Sequence, residues 1–159
     1  MQEDRTPDRP GFELPLLLVG AFRALIDDLH RELAERGHPD ARPIHGFALQ
    51  AVARDGVTTS ELGRRLGVSK QAAAKTAAGL ERVGYLAREA DPDDARAVLL
   101  KPTARGIEML ALSAEIFDRL RAAWSAELGA KRLAALEDDL RRIVVPSGTK
   151  LGDLPGWLR

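Results

Sequence analysis

The sequence predicts a mainly α fold with a small β-hairpin wing. Three observations carry it. Apolar residues recur at helical spacing in six separate segments. One stretch, from Tyr85 to Pro102, reads instead as two short strands around the turn-rich DPDDAR, Asp91 to Arg96. N-cap hydroxyls and terminal glycines fall at the ends of the helical segments, where helix punctuation belongs.

Residues 1–12 read as a flexible, Pro-containing lead-in. Residues 13–42 form an N-terminal dimerisation helix with its loop. Leu18, Phe22, Leu25, Leu29 and Leu33 make one stripe, Pro15 suits a first turn, and Gly37 with Pro39 ends the helix. Its start, LPLLLVGAF, including Leu16 and Leu17, is apolar nearly all round. Such a helix needs cover on more than one side, which a partner subunit supplies.

A second helix runs from Pro43 to about Arg54, with proline first and Gly56 beyond its end. Thr58 and Glu61 then have capping-box spacing; Leu62 and Leu66 face inward, and Gly67 is the left-handed cap. Ser69 caps the next helix, which runs to about Val83 and closes at Gly84. Two short helices joined by a tight Gly-containing turn are the helix-turn-helix pattern. YLAREA and ARAVLLKP follow as the strands of the hairpin, so residues 43–103 read as a winged helix-turn-helix lobe.

Thr103 caps a long fifth helix with apolar residues at Ile107, Leu110, Ala114, Phe117, Leu120, Trp124 and Leu128. After Gly129 a sixth helix shows Leu133, Leu136, Leu140 and Ile143 and ends near Pro146; residues 104–145 are thus C-terminal dimerisation helices. Residues 146–159, with Trp157, have turn composition. The outer helices have no domain of their own to fill, and a homodimer buries them mutually. Leu16, Leu17, Phe117, Leu120, Trp124, Leu133, Leu136 and Leu140 are its expected interface.

Composition narrows the function. The 159-residue chain has no cysteine, which excludes disulfides and thiolate zinc sites. The polar start is no signal peptide, and the first apolar run stops at Arg23, too short for a bilayer. A cytoplasmic protein without a membrane partner is expected. His30, His38 and His45 match no compact ligand spacing, so no metal is expected. No cofactor motif, nucleophile–base pair or phosphate loop marks an enzyme. Formal net charge is zero, yet it is unevenly spread. Residues 1–57 carry seven Lys/Arg against ten Asp/Glu, residues 58–106 nine against six, and residues 107–159 eight against eight.

Four pieces together resemble the MarR (multiple antibiotic resistance) family of bacterial transcriptional regulators. They are TTSELGRRLGVSKQAAAKTAAGLERVGYLARE, the wing DPDDAR, the following LLKPTARG, and the bracketing helices, covering most of residues 14–145. The sequence departs from the family's pattern at Ala95, where the wing often carries arginine, and at Pro102-Thr103, where leucine-threonine is common. The resemblance implies a homodimeric repressor of a pseudo-palindromic operator, released by a small aromatic or anionic effector. The effector pocket would lie between the dimer helices and the DNA-binding lobe. His45 is a candidate contact there, with Phe22, Phe47 and Phe117, although core packing is the stronger reading for the three phenylalanines.

In a helix-turn-helix the start of the second helix enters the major groove of double-stranded DNA. That assigns Ser69, Lys70, Gln71, Ala73, Ala74 and Lys75. Gln71 can pair with adenine, and the lysines reach guanine or phosphate. The run Ala72 to Ala74 reads first as helix propensity and packing, with methyls against thymine as the alternative, and Gly79 suggests a close backbone approach. Ser69, Thr58 and Thr59 sit at helix N-termini, which suit phosphates. Arg64 and Arg65 belong on the solvated face. In the wing, Arg96 is expected to enter the minor groove, braced by a forked ion pair from Asp94, while Asp91, Pro92 and Asp93 make the bend. The rival reading is a winged-helix protein-interaction module without specific DNA binding, which zero net charge and Ala95 favour.

Overall fold

The computed structural model describes residues 9–52, 55–94 and 96–143. The expected α2 terminus at Arg54, the wing's Ala95, and the tail with Trp157 lie outside them, as does the lead-in up to residue 8. The chain order is α1 (Glu13–Glu35), α2 (Pro43–Ala51), α3 (Thr59–Leu66), α4 (Lys70–Arg82), β1 (Leu86–Ala90), β2 (Val98–Pro102), α5 (Ala104–Leu128) and α6 (Ala130–Ile143). β1 and β2 form one antiparallel hairpin in which Leu86 faces Pro102 and Ala90 faces Val98.

The helix ends follow local chemistry. Thr58, Ser69 and Thr103 each accept from the backbone N–H three residues on, at 3.1–3.2 Å. Gly67 and Gly84 take φ of +66° and +78°, where a side chain would strain the turn. α2 ends earlier than expected, at Ala51, because Val52 goes extended (φ −87°, ψ 114°) to bury its side chain. Val57 then pairs with Leu100 as a bridge on the edge of the hairpin.

One core joins the parts. Leu62, Leu66, Ala73, Ala77 and Leu80 of the helix-turn-helix pack with Leu86 and Leu100 of the wing. The same cluster continues through Ala48 and Leu49 of α2 to Ile26, Leu29 and Leu33 of α1 and to Met109 and Ile116 of α5. At the junction sits Tyr85, fully buried, its hydroxyl 3.1 Å from His38 Nδ1. His45 meets the tyrosine ring edge-on at 5.8 Å, and the Arg105 guanidinium lies 5.6 Å above it. Arg105 also donates to the Gly37 carbonyl at 2.8 Å, tying the root of α5 to the end of α1.

The outer helices pack by more than their apolar pattern, and one expected interface residue needs correction. α5 turns Gly106, Met109, Ser113 and Ile116 inward, while Ile107, Phe117 and Leu128 of its apolar series stay exposed within one chain. Small and polar residues hide that inner face in the sequence: the Ser113 hydroxyl is satisfied by the Met109 carbonyl at 2.7 Å. Leu133, expected at a subunit interface, is buried within its own chain. There α6 folds back on α5, held by the two-bond Arg121–Glu137 fork at 2.6 and 2.8 Å.

Candidate nucleic-acid interface

The turn between α3 and α4 is tight because Gly63 carries no side chain. A Cβ there would sit 3.1 Å from the Val68 carbonyl, and Val68 N–H donates back to the Gly63 carbonyl at 2.9 Å. Only half of the capping box forms. Thr58 accepts from Glu61 N–H, but the Glu61 carboxylate turns away to Arg64 and to Arg65 Nε at 2.9 Å. The Arg65 hydrogen bond, more than any other influence, holds the Glu61 carboxyl below its ordinary range. Arg65 also donates to the Ala51 carbonyl at 3.0 Å, so it stitches α3 to α2.

α4 presents two faces. Ala73, Ala77 and Leu80 point into the core. Ala73 is 0% exposed and close to Gly63, so it has no surface to offer a groove; the packing reading is correct for it. Ser69, Lys70, Gln71, Ala72, Lys75, Ala78 and Arg82 are exposed, Ala74 is half-buried, and so are Thr58 and Thr59 at the other N-terminus. Arg82, one stripe along from Lys75 at seven-residue spacing, is absent from the sequence assignment although that spacing points to it. Nothing of the chain itself approaches Gly79: an added Cβ would meet nothing within 4 Å.

The wing loop is built from aspartate–backbone bonds. Asp91 Oδ1 accepts from Asp93 N–H at 2.9 Å, the expected turn chemistry. Asp94 does the same: its Oδ1 accepts from Arg96 N–H at 3.0 Å. The expected forked pair between Asp94 and the Arg96 guanidinium is therefore corrected. Strand pairing stops at Ala90 and Val98, short of these two residues, and the nearer backbone N–H takes the carboxylate.

The cations of the lobe sort into those that brace it and those that do not. Among the described residues of 43–103, Arg64 and Arg65 pair with Glu61, Arg88 with Glu81, and Lys101 with Glu89. Lys70, Lys75, Arg82 and Arg96 form no ion pair there, and they lie on the outer face of α4 and at the wing tip. Neutralised cations hold the lobe together, and the free ones face outward.

Two cavities flank the first turn of α2. One, about 670 Å³, runs beside α4 and has Arg42, Lys75 and Arg82 over a floor of Ile44, Val68 and Val83. The other, about 230 Å³, lies between α1, α2 and α5. It brings together Phe22, Phe47 and Phe117, with His30 and Arg42 at its edge. His45 is not among its lining residues; it belongs to the first cavity, and Arg42 borders both.

His45 is held neutral by its role. Its Nδ1 accepts from Arg42 N–H at 3.2 Å, closing the first turn of α2. Burial, then the nearby Arg42 charge, push its pKa down from 6.5 to about 4. The unfolded chain takes up that proton near pH 6.5 and the folded one does not, so stability is full above pH 6.5 and is lost as pH falls toward 4. The loss is on the order of 2–3 kcal/mol for a shift of this size. Urea titrations from pH 7 to 4 should show a shallower loss in His45→Gln; parallel curves would remove His45 as the cause.

Comparison with known proteins agrees with this architecture. Residues 42–97, from the start of α2 to the end of the wing loop, match the MarR family. A crystal structure of MarR superposes with a TM-score of 0.63 at 27% identity, covering 82% of this chain and 93% of that one. Over residues 42–97 the chain has the MarR-family winged helix. The reduced form of MarR from E. coli matches at 23% identity and a TM-score of 0.66, over 83% of this chain and 96% of the other. The MepR–DNA complex of S. aureus shares the fold at 18% identity, with a TM-score of 0.63 and coverage of 80% and 93%. Among curated proteins, no relative matches. No described helix of this chain is long and apolar enough to cross a membrane.

Proposed function

We propose that the protein is a homodimeric transcriptional repressor, acting in the cytoplasm on a pseudo-palindromic operator and relieved by a small effector. The observation that carries this reading is the segregation of unpaired cations onto the outer face of α4 and the wing tip. Ser69, Lys70, Gln71, Ala74 and Lys75 then meet one major groove, with Gln71 the base reader. The caps at Thr58, Thr59 and Ser69 meet phosphates. Arg96 enters the flanking minor groove. Asp94 sets the direction of its backbone, with no ion pair to the guanidinium. Two-fold symmetry places the half-sites about one helical turn apart.

The aromatic lining of the smaller cavity, with His30 and Arg42 beside it, suits a small aromatic anion. The cavity lies between the α1–α5 arms and α2 of the lobe, so a ligand there relieves repression by favouring the spacing that cannot meet both grooves. A ligand of equal affinity for both spacings would shift nothing.

Selection of bound duplex from a random pool should return a palindromic consensus, and its affinity should fall steeply with salt as counterions are released. On that duplex, Arg96→Ala should weaken binding by about 1–3 kcal/mol in a titration at fixed salt. Near-native affinity would sink the wing assignment, and salt-insensitive or absent duplex binding would favour a protein-interaction module.

A further inference from the structure

Glu81 lies in the last turn of α4 and Arg88 in the middle of β1. Their side chains form a two-bond fork: Arg88 Nε donates to Glu81 Oε1 at 2.8 Å and Nη2 to Oε2 at 3.1 Å. A planar guanidinium on a planar carboxylate fixes direction as well as distance, which a single lysine contact does not. The fork spans the corner at which the helix gives way to the wing. There the backbone turns through Gly84 at φ +78°, and Tyr85 is pinned by its N–H to the Leu80 carbonyl at 2.8 Å. In β1, Leu86 is anchored in the core and Arg88, exposed, stands two residues further toward the tip on the same face of the strand. Beyond it the hairpin carries Ala90, the aspartate loop and Arg96.

We propose that the Glu81–Arg88 fork is a positioning pair: it sets the angle of the wing against α4, and with it the distance between the major-groove and minor-groove readers. The proposal rests on the DNA-binding reading for its consequence, though not for its geometry. The sign of the effect separates it from the alternatives. An acidic residue that merely lies near DNA repels phosphate, so its neutralisation tightens binding. A carboxylate that aims the wing does the reverse. Likewise an arginine that merely touches phosphate is well replaced by lysine, whereas a fork is not.

The test has two arms. The chain has no cysteine, so Ala78→Cys on α4 and Asp93→Cys in the wing loop give one pair of spin labels per subunit, and an excess of cysteine-free subunits in the mixture removes distances between copies. Their distance distribution, measured without DNA, should be narrow in the native background and broaden or shift with Glu81→Gln and with Arg88→Lys. An unchanged distribution overturns the proposal whatever the DNA data show. In the second arm, Glu81→Gln and Arg88→Lys should each weaken binding to the selected duplex roughly three- to tenfold, with thermal midpoint and salt slope unchanged. In an Arg96→Ala background neither should weaken it further, because the wing then has nothing to aim. Tighter binding by Glu81→Gln, or unaltered binding by Arg88→Lys, overturns the positioning role. Failure of the native protein to bind duplex overturns the DNA-binding reading instead, and the label distances still decide the strut.

Discussion

Gly106→Ala is expected to destabilise the protein by about 3 kcal/mol, the upper end of ordinary overpacking. A Cβ at Gly106 would stand 2.3 Å from the Tyr85 carbonyl oxygen, and that oxygen cannot retreat. It accepts from Thr103 N–H at 3.0 Å, Tyr85 N–H is bonded to Leu80, and the tyrosine ring is fully enclosed. Thr103 itself is fixed, donating its hydroxyl to the Gly84 carbonyl at 2.5 Å while accepting from Gly106 N–H. Relief requires the first turn of α5 to lift off the end of α4, and with it the Arg105 contacts to Tyr85 and Gly37. Urea denaturation measures the loss. Gly79→Ala is the control, since its Cβ meets nothing within 4 Å and the change removes a helix-interior glycine. It should raise stability by about 0.5–1 kcal/mol. Equal and small effects at both sites would mean that the α4–α5 corner is looser than the geometry requires.

That corner also shows what the sequence reveals and what it hides. Caps are local chemistry, and Thr58, Ser69, Thr103 and Gly67 all stand where a reading of a few neighbouring residues puts them. The hairpin is equally legible, because two apolar runs around an aspartate-rich turn have few other uses. Faces of long helices are less so. The apolar pattern of α5 marks Ile107, Phe117 and Leu128 without saying which face meets the chain's own core, and that face is made by Gly106 and a self-satisfied Ser113. The meeting of His38 with Tyr85, 47 residues apart, leaves no periodic trace. In the wing, the same aspartate type could brace a guanidinium or cap a turn; the backbone N–H two residues on is nearer, and it prevailed at Asp94 as at Asp91. For the candidate interface, residue type located the helix but not its rotation, which is why Ala73 was assigned outward and Arg82 was left out.

Replacing Leu16 and Leu17 by glutamate should convert the proposed dimer to a monomer and weaken operator binding by about 10²–10⁴-fold, the range that bivalency contributes. Within one chain the first half of α1 is uncovered: Phe12, Leu14, Leu16 and Leu17 are 67%, 63%, 65% and 56% exposed. Leu18 and Val19 continue the patch around the helix, so no rotation of α1 against its own lobe could bury it all. At the far end of the arms, Leu136 and Ile143 of α6 are also open, with Leu128 and Phe117 of α5. Soluble monomers rarely leave apolar surface of this extent to water, and a second copy brings a surface of the same kind. Placing carboxylates at Leu16 and Leu17 buries charge in the assembled dimer but exposes it harmlessly in the free subunit, whose own core begins further along, at Ile26. The lobe should therefore keep its fold, with Tyr85 still enclosed and its near-ultraviolet signal unchanged. Sedimentation should give twice the 17.3 kDa chain mass for the native protein and the single chain mass for the variant. A variant that stays dimeric would move the interface to α5 and α6. One that becomes monomeric yet binds the full palindrome with native affinity would break the link between symmetry and operator reading, because each subunit would then read its half-site alone.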